Sequence, residues 1–408
     1  TMPQADPTVG TRPDIGLALS GGGSRAMAFH LGCLRALHDE GLLDQVATIS
    51  AVSGGSVLAA LYCQTPGDFA TFEVKTQQLL KRGFLRPAIL QAVSSFEGLK
   101  ALANFAAVGT DRLLAFVVCR VLGGLRLRKR FKSSWLAQSS IRRSASRTTI
   151  LRKVFSQVFA HQTLPSLRKD RPKLIIVACE LQTKSAFYFA ADAVGSWHFG
   201  SAAPEDMEIA HAVSASAAYP AALPPLDEVL TFTKNDVAEC HRVILTDGGV
   251  YDNLALAPLW PGRDPTISLH VADYPRIIAC RAGYGLKHAA RPAFMVSRLK
   301  AAFESVHARA QNFAMNRLYD LQRGGEIETF LLPYIDQKDS LLTHAPADLV
   351  TAEDVADYPT DFSAMPEEWI DRLSKRGEQV TRALVKQYWS SREQAVGDPV
   401  RNSSGGDP

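Results

Sequence analysis

Ser53 stands in the run Thr48-Ile49-Ser50-Ala51-Val52-Ser53-Gly54-Gly55-Ser56, where an apolar β-branched stretch gives way to two glycines. A strand that turns this sharply into a helix lifts a serine hydroxyl clear of the sheet, as a nucleophile elbow does. Ala51 takes the place of the first glycine of G-x-S-x-G, and Gly55 the place of the last. By itself A-x-S-x-G is a common chance match, so its meaning depends on its neighbours.

One strand earlier, Gly21-Gly22-Gly23 follows the apolar run Ile15-Gly16-Leu17-Ala18-Leu19 and opens a helical pattern. Backbone N–H groups at such a junction converge on negative charge, helped by the helix dipole. Two chemistries use this. Gly21, Gly23 and Ala26 satisfy the dinucleotide pattern G-x-G-x-x-A. The same N–H groups could instead hold the oxyanion formed when a serine attacks a carbonyl. A dinucleotide site wants a carboxylate at the end of the second strand, and here that strand runs into Ser53. The context favours an oxyanion hole, with a plain tight turn as the third reading.

Asp247-Gly248-Gly249 follows the strand-like Val243-Ile244-Leu245. A carboxylate at a strand end could take the proton of Ser53 directly, provided an apolar setting raises its pKa. Asp-Gly is also a common turn pair, and alone the turn is the simpler reading. His270, His288, His307 and His344 follow Asp247, so the order serine, acid, histidine is formally available. Each of them reads more simply as a helix or surface histidine. The six cysteines are scattered singly, with no C-x-x-C and no H-E-x-x-H, so neither a metal site nor a disulfide framework is expected.

Taken together, Gly21-Gly22-Gly23-Ser24-Arg25, Val52-Ser53-Gly54-Gly55-Ser56 and Asp247-Gly248-Gly249-Val250-Tyr251-Asp252-Asn253 resemble the patatin-like phospholipase family. Ala215-Ser216-Ala217-Ala218-Tyr219-Pro220, with Leu223-Pro224-Pro225 after it, resembles that family's small-residue-then-proline segment. The resemblance implies an α/β fold, a three-layer αβα sandwich around a mostly parallel sheet. It implies Ser53 as nucleophile and Asp247 as base. Gly21, Gly22 and Gly23 would supply the oxyanion donors with Arg25 beside them, and Gly55, Gly248 and Gly249 would support the elbow and the dyad. Lipid esters are the implied substrates, and no metal or other cofactor is implied. The alternatives are a Ser-His-Asp esterase, a catalytically silent lipid-binding protein on the same fold, and a nucleotide-dependent α/β protein.

These residues need elements to position them. The spacing predicts a strand near Ile15, a helix from Ser24 to Glu40, a strand from Val46 to Val52 and a helix from Val57 to Cys63, the rhythm of a parallel α/β sheet. Residues 66–170 break that rhythm and read as a helical, basic insertion. Strands resume at Lys173 to Cys179 and Ala186 to Ala190, then a small-residue helix from Ile209 to Ala218. Further strands are expected at Val243 to Leu245, Ile277 to Arg281 and Thr329 to Leu332, and helices at Ala293 to Gln322 and Pro366 to Ser390. The domains expected are a flexible lead-in over 1–13, a patatin-like catalytic domain over 14–335, a helical extension over 336–392 and a disordered tail over 393–408.

Charge is unevenly placed. The whole chain carries +4, yet Arg112 to Lys169 holds 14 Lys/Arg and no Asp or Glu, so the remainder is net acidic. Such asymmetry points to an anionic partner. An apolar stripe at Leu113, Leu114, Phe116, Val117, Val118, Val121 and Leu122, flanked by Arg112, Arg120, Arg126 and Arg128, could lie on an anionic membrane or equally cover the core ahead of a solvated basic loop. Nucleic acid is disfavoured, because Phe131 and Trp135 are the only aromatics near the charge peak. No uninterrupted apolar stretch reaches spanning length, the richest candidate being broken by Arg120. A cytoplasmic protein with peripheral membrane contact is expected, with secretion left open because the chain begins at Thr1.

Overall fold

The computed structural model describes residues 13–124, 141–220, 222–283, 294–356 and 358–389. The lead-in up to residue 12, the tail beyond 392, His288, and the basic stretch with Arg126, Arg128, Phe131 and Trp135 lie outside the described residues. In chain order the elements are β1 (Ile15–Leu19), α1 (Gly23–Asp39), β2 (Val46–Ala51), α2 (Gly54–Gln64), α3 (Phe69–Arg82), α4 (Leu85–Ser94), α5 (Phe96–Gly124) and α6 (Arg147–Val158). Then come β3 (Lys173–Glu180), β4 (Ser185–Phe189), β5 (Val194–Ser196), β6 (Gly200–Ala202), α7 (Ile209–Ser216), β7 (Leu226–Lys234) and β8 (Val237–Asp247). The chain continues through α8 (Gly249–Asp252), β9 (Arg276–Cys280), α9 (Met295–Arg323), β10 (Thr329–Leu331) and α10 (Glu367–Leu384).

One sheet runs in the order β10-β9-β1-β2-β3-β4-β5-β6-β7-β8. From β10 to β3 every pairing is parallel, with Leu19 opposite Ala51 on one side and Cys280 on the other. These strands are apolar on both faces because helices cover both. Ile15, Leu17, Leu19, Ile49 and Ile176 join one core cluster with α1, α2, α7 and α10. Ala18, Ile175, Val177, Ile277 and Ala279 join another with Leu318 and Leu321 of α9.

The expectation of a mostly parallel sheet is corrected beyond β3. From β3 through β8 every pairing is antiparallel, and β8 returns to pair with β3. The sequence pattern predicts only Val243 to Leu245 of the β7–β8 hairpin, because its outer half is largely exposed and carries charged and polar side chains. A signal was present in Asn235-Asp236. Both adopt positive φ, 52° and 63°, in the two-residue turn that joins Lys234 to Val237.

The return of β8 brings distant residues together. β2 pairs with β3 as far as Ala51 opposite Ile176. On the same edge of β3, β8 takes over with Asp247 opposite Ala178. Asp247 therefore reaches the mouth of the elbow on an antiparallel strand arriving from the opposite direction.

Helix α10 is built into the core with α1. A Cβ at Gly32 would collide with the Ser374 carbonyl, and one at Gly377 with the Phe29 carbonyl, so these glycines let the two helices cross in contact. Ile370, Leu373, Val380 and Ala383 are buried there, and the expected C-terminal extension shares the core of the sheet. Helix α3 also packs on α1, whereas α4 has no buried residue.

Candidate active site

Ser53 occupies the turn between β2 and α2 with φ 51° and ψ −123°. A non-glycine residue at such angles stores roughly 1–3 kcal/mol of strain that its surroundings must hold. Ala51 is the last residue of β2 and takes no positive φ, so alanine serves where the motif usually has glycine. The small residues around the turn are required by contact. A Cβ at Gly54 would strike the carbonyl of Gly23, and one at Gly55 would come within 2.6 Å of the carbonyls of Leu19 and Ser20. The glycine loop and the elbow are thus packed backbone to backbone.

The holding contacts come from the end of α7. Ser53 N–H donates to Ser216 Oγ at 2.9 Å, and that hydroxyl donates to the Val177 carbonyl at 2.6 Å. Gly248 N–H donates to the Ser216 carbonyl, and Asp247 N–H to the Ala218 carbonyl at 3.1 Å. The segment Ser216–Ala218 thereby ties the serine turn to the aspartate turn. Sequence reading picks out this segment only as a run of small residues; Ser216 carries no signal that marks it as a positioning group.

Asp247 is buried, and burial pushes its carboxyl up to about 6. Hydrogen bonds from Gly249 N–H, at 2.7 Å, and from the Ser53 hydroxyl oppose that rise. The carboxylate is therefore available as a proton acceptor near neutral pH. A Cβ at Gly249 would meet Asp247 Oδ1 and Asn253 Oδ1, and one at Gly248 the Val177 carbonyl.

The glycine loop divides its roles. Gly21 N–H donates to the Asn253 carbonyl at 3.1 Å, so it is already engaged; this corrects the expectation that all three glycines offer free donors. Among the described residues, the N–H groups of Gly22 and Gly23 have no acceptor, and neither does that of Gly54. Gly22 and Gly23 take φ of 143° and 60°. Arg25 is buried and donates from Nε to the Ala282 carbonyl at 3.1 Å and from Nη1 to the Tyr358 carbonyl at 3.3 Å. It braces the loop from behind. The backbone of Asp361 packs against the loop, its carbonyl accepting Ser24 N–H at 2.7 Å, and nothing in the sequence marks it.

No histidine among the described residues hydrogen-bonds Ser53 or Asp247. His270 packs edge-on to Tyr188 and lies 3.6 Å from Asp192; burial pulls its pKa down to about 4. His307 lines a cavity of about 660 Å³ beside α9, together with Tyr188, Trp197, Tyr251, Trp260 and Phe313. Asn253 also lines that cavity, and its Oδ1 lies beside the backbones of Gly21 and Gly249. Among the described residues no group of three or more His, Cys, Asp or Glu could hold a metal ion.

A patatin-like phospholipase family model matches residues 17–260. A stretch of 54 residues, 13% of this chain, is 48% identical to a patatin-like phospholipase domain-containing protein of Caenorhabditis elegans, of which it covers 4%. The structure of human GIVD cytosolic phospholipase A2 matches 94% of this chain with a TM-score of 0.51 at 14% identity, and shares its fold. This chain spans 60% of that human chain. VipD from Legionella pneumophila matches 92% of this chain and 67% of its own, at 15% identity and a TM-score of 0.34.

Proposed function

The chain belongs to the patatin-like phospholipase family, and from that premise we propose that it is a serine acyl hydrolase of phospholipids or related lipid esters, working through Ser53 and Asp247. The observation that carries this reading is the pairing itself: a strained, buried serine against a buried carboxylate whose pKa is pushed up to about 6.

In the proposed reaction Ser53 Oγ attacks the ester carbonyl carbon while its proton passes to Asp247. The carbonyl oxygen becomes an oxyanion facing the free N–H groups of Gly22 and Gly23, with Gly54 N–H at the start of α2 as a further donor. Asp247 returns the proton to the departing alkoxide, leaving the acyl chain on Ser53. Water then attacks the acyl carbonyl and gives its proton to Asp247, and the bond to Ser53 Oγ breaks as Asp247 returns that proton to it, releasing the fatty acid. The cavity beside Asn253, lined by aromatic side chains together with Arg263, Gln311 and Arg317, has the size that ligand sites commonly have. A cytoplasmic protein touching membranes through its basic segment fits this role.

A fluorophosphonate probe tests the reading. It should label the wild-type chain and leave Ser53→Ala unlabelled, with lipid ester hydrolysis lost in parallel. Hydrolysis surviving in Ser53→Ala would remove Ser53 from the chemistry.

A further inference from the structure

Helix α5 carries its polarity reversed. On α5 the buried side chains are Val108 and Ala115, and the half-buried Glu97, Asn104 and Asp111 fall on the same side at helical spacing. Two of these inward polar groups are bonded to the body of the protein. Thr149 Oγ1 donates to Glu97 Oε1 at 2.7 Å, and Asn104 Nδ2 donates to the Arg142 carbonyl at 3.1 Å. The outward side is apolar instead. Leu99, Leu102, Phe105, Leu113 and Phe116 are between 52% and 70% exposed. On α4, Leu90 and Val93 extend the same exposure. A water-facing helix normally shows the opposite arrangement, and an apolar surface this continuous marks an interaction face.

No uninterrupted apolar stretch reaches spanning length, yet a window that tolerates a few charges does. Phe96–Val118 passes that test by length and composition, with 23 residues. Its inner side is pinned to the body, however, so the helix is placed to lie along a membrane with one face down. At 1.5 Å per residue this gives an apolar rod of about 34 Å. The exposed charge beside it is cationic. Arg112 and Arg120 on α5 and Arg142 and Arg147 after it are exposed, within the stretch of 14 basic and no acidic residues. Cationic surface next to exposed leucine and phenylalanine complements anionic head groups over acyl chains.

We propose that the outer faces of α4 and α5 insert into the acyl region of an anionic leaflet, while the arginines bind its phosphates. Arg112, Arg120, Arg142 and Arg147 thus supply attraction, and the apolar face supplies the lasting hold. This docking needs no turnover, so it is tested in the full chain carrying Ser53→Ala, apart from any failure of the hydrolase reading.

In that background Phe105→Trp reports on the outer face, read as the difference from the parent spectrum. With phosphatidylcholine–phosphatidylglycerol vesicles brominated in the acyl chains, the added tryptophan should shift to the blue and be quenched. Most of that signal should survive about 0.5 M salt added after binding, since screening acts on the arginines and not on the buried face. Leu99→Glu with Leu113→Glu should weaken vesicle binding at least tenfold with the circular dichroism unchanged, because both positions are solvent-exposed. Binding that salt fully reverses, with no quenching by the brominated chains, would overturn insertion. So would a dimer that shields the tryptophan from an aqueous quencher without lipid, because the face would then belong to a second copy.

Discussion

Ser216 holds Ser53 by its backbone: its hydroxyl accepts Ser53 N–H at 2.9 Å and donates to the Val177 carbonyl at 2.6 Å. The strained turn is therefore fixed to the end of α7 and, through it, to β3. Ser216→Ala leaves a buried N–H without its acceptor, a cost of about 1–3 kcal/mol. Relaxation of the turn by a fraction of an ångström should lower kcat roughly 10- to 100-fold with little change in KM. Steady-state kinetics on a soluble ester check this, and a kcat within twofold of wild type would reduce Ser216 to a packing residue.

The φ of 51° at Ser53 gives a second expectation. Glycine accepts such angles freely, whereas alanine does not. Ser53→Gly should therefore raise the unfolding free energy by about 1 kcal/mol relative to Ser53→Ala, although both lose the hydroxyl. Urea denaturation compares them. Equal stabilities would mean that the elbow is not strained in solution.

The cavity beside Asn253 makes a third. Ala310 lines it on α9. Ala310→Trp should fill part of the space and raise KM for long-chain esters more than for short-chain ones, leaving short-chain kcat near wild type. An equal effect on both chain lengths would place the acyl chain elsewhere.

Much of this site is legible in the sequence because local chemistry dictates it. The glycines at 21–23 and 54–55 mark turns that need close backbone approach, and Asp247-Gly248 marks a strand end. What the sequence hides is long-range. Parallel β-rhythm over β1 and β2 suggests a parallel sheet throughout, but the β7–β8 hairpin has an exposed, polar outer half and lacks a continuous apolar run. The takeover of the β3 edge by β8, where Asp247 meets Ala178 just beyond Ala51 and Ile176, depends on that hairpin. The pairing of Gly21 N–H with Asn253 and the packing of Asp361 against the loop are tertiary contacts of residues with no pattern of their own. The outward apolar face of α5 is hidden for another reason: periodicity reveals a stripe but not which side of it meets the protein.

Asp247 makes the last expectation, in rate and in stability. Its carboxyl, buried and pushed up to about 6, is the base only when ionised. The value of kcat/KM should rise about tenfold per pH unit below 6 and level off above it. Stability moves the other way. In the unfolded chain the carboxyl titrates at the ordinary aspartate value of about 4, so between about 4 and about 6 the folded state keeps a proton that the unfolded state has released. The contribution of this group to stability is therefore greatest below that window and falls as pH rises through it, by about 3 kcal/mol in all. Asp247→Asn keeps the shape and an oxygen for Gly249 N–H but cannot ionise. It should abolish turnover and yet be more stable than wild type at pH 8, with the difference shrinking toward pH 4. Urea denaturation at pH 5 and pH 8 measures both chains. A stability difference that does not change between those pH values would mean that Asp247 titrates as an ordinary exposed carboxylate, and the proton acceptor for Ser53 would have to be sought elsewhere.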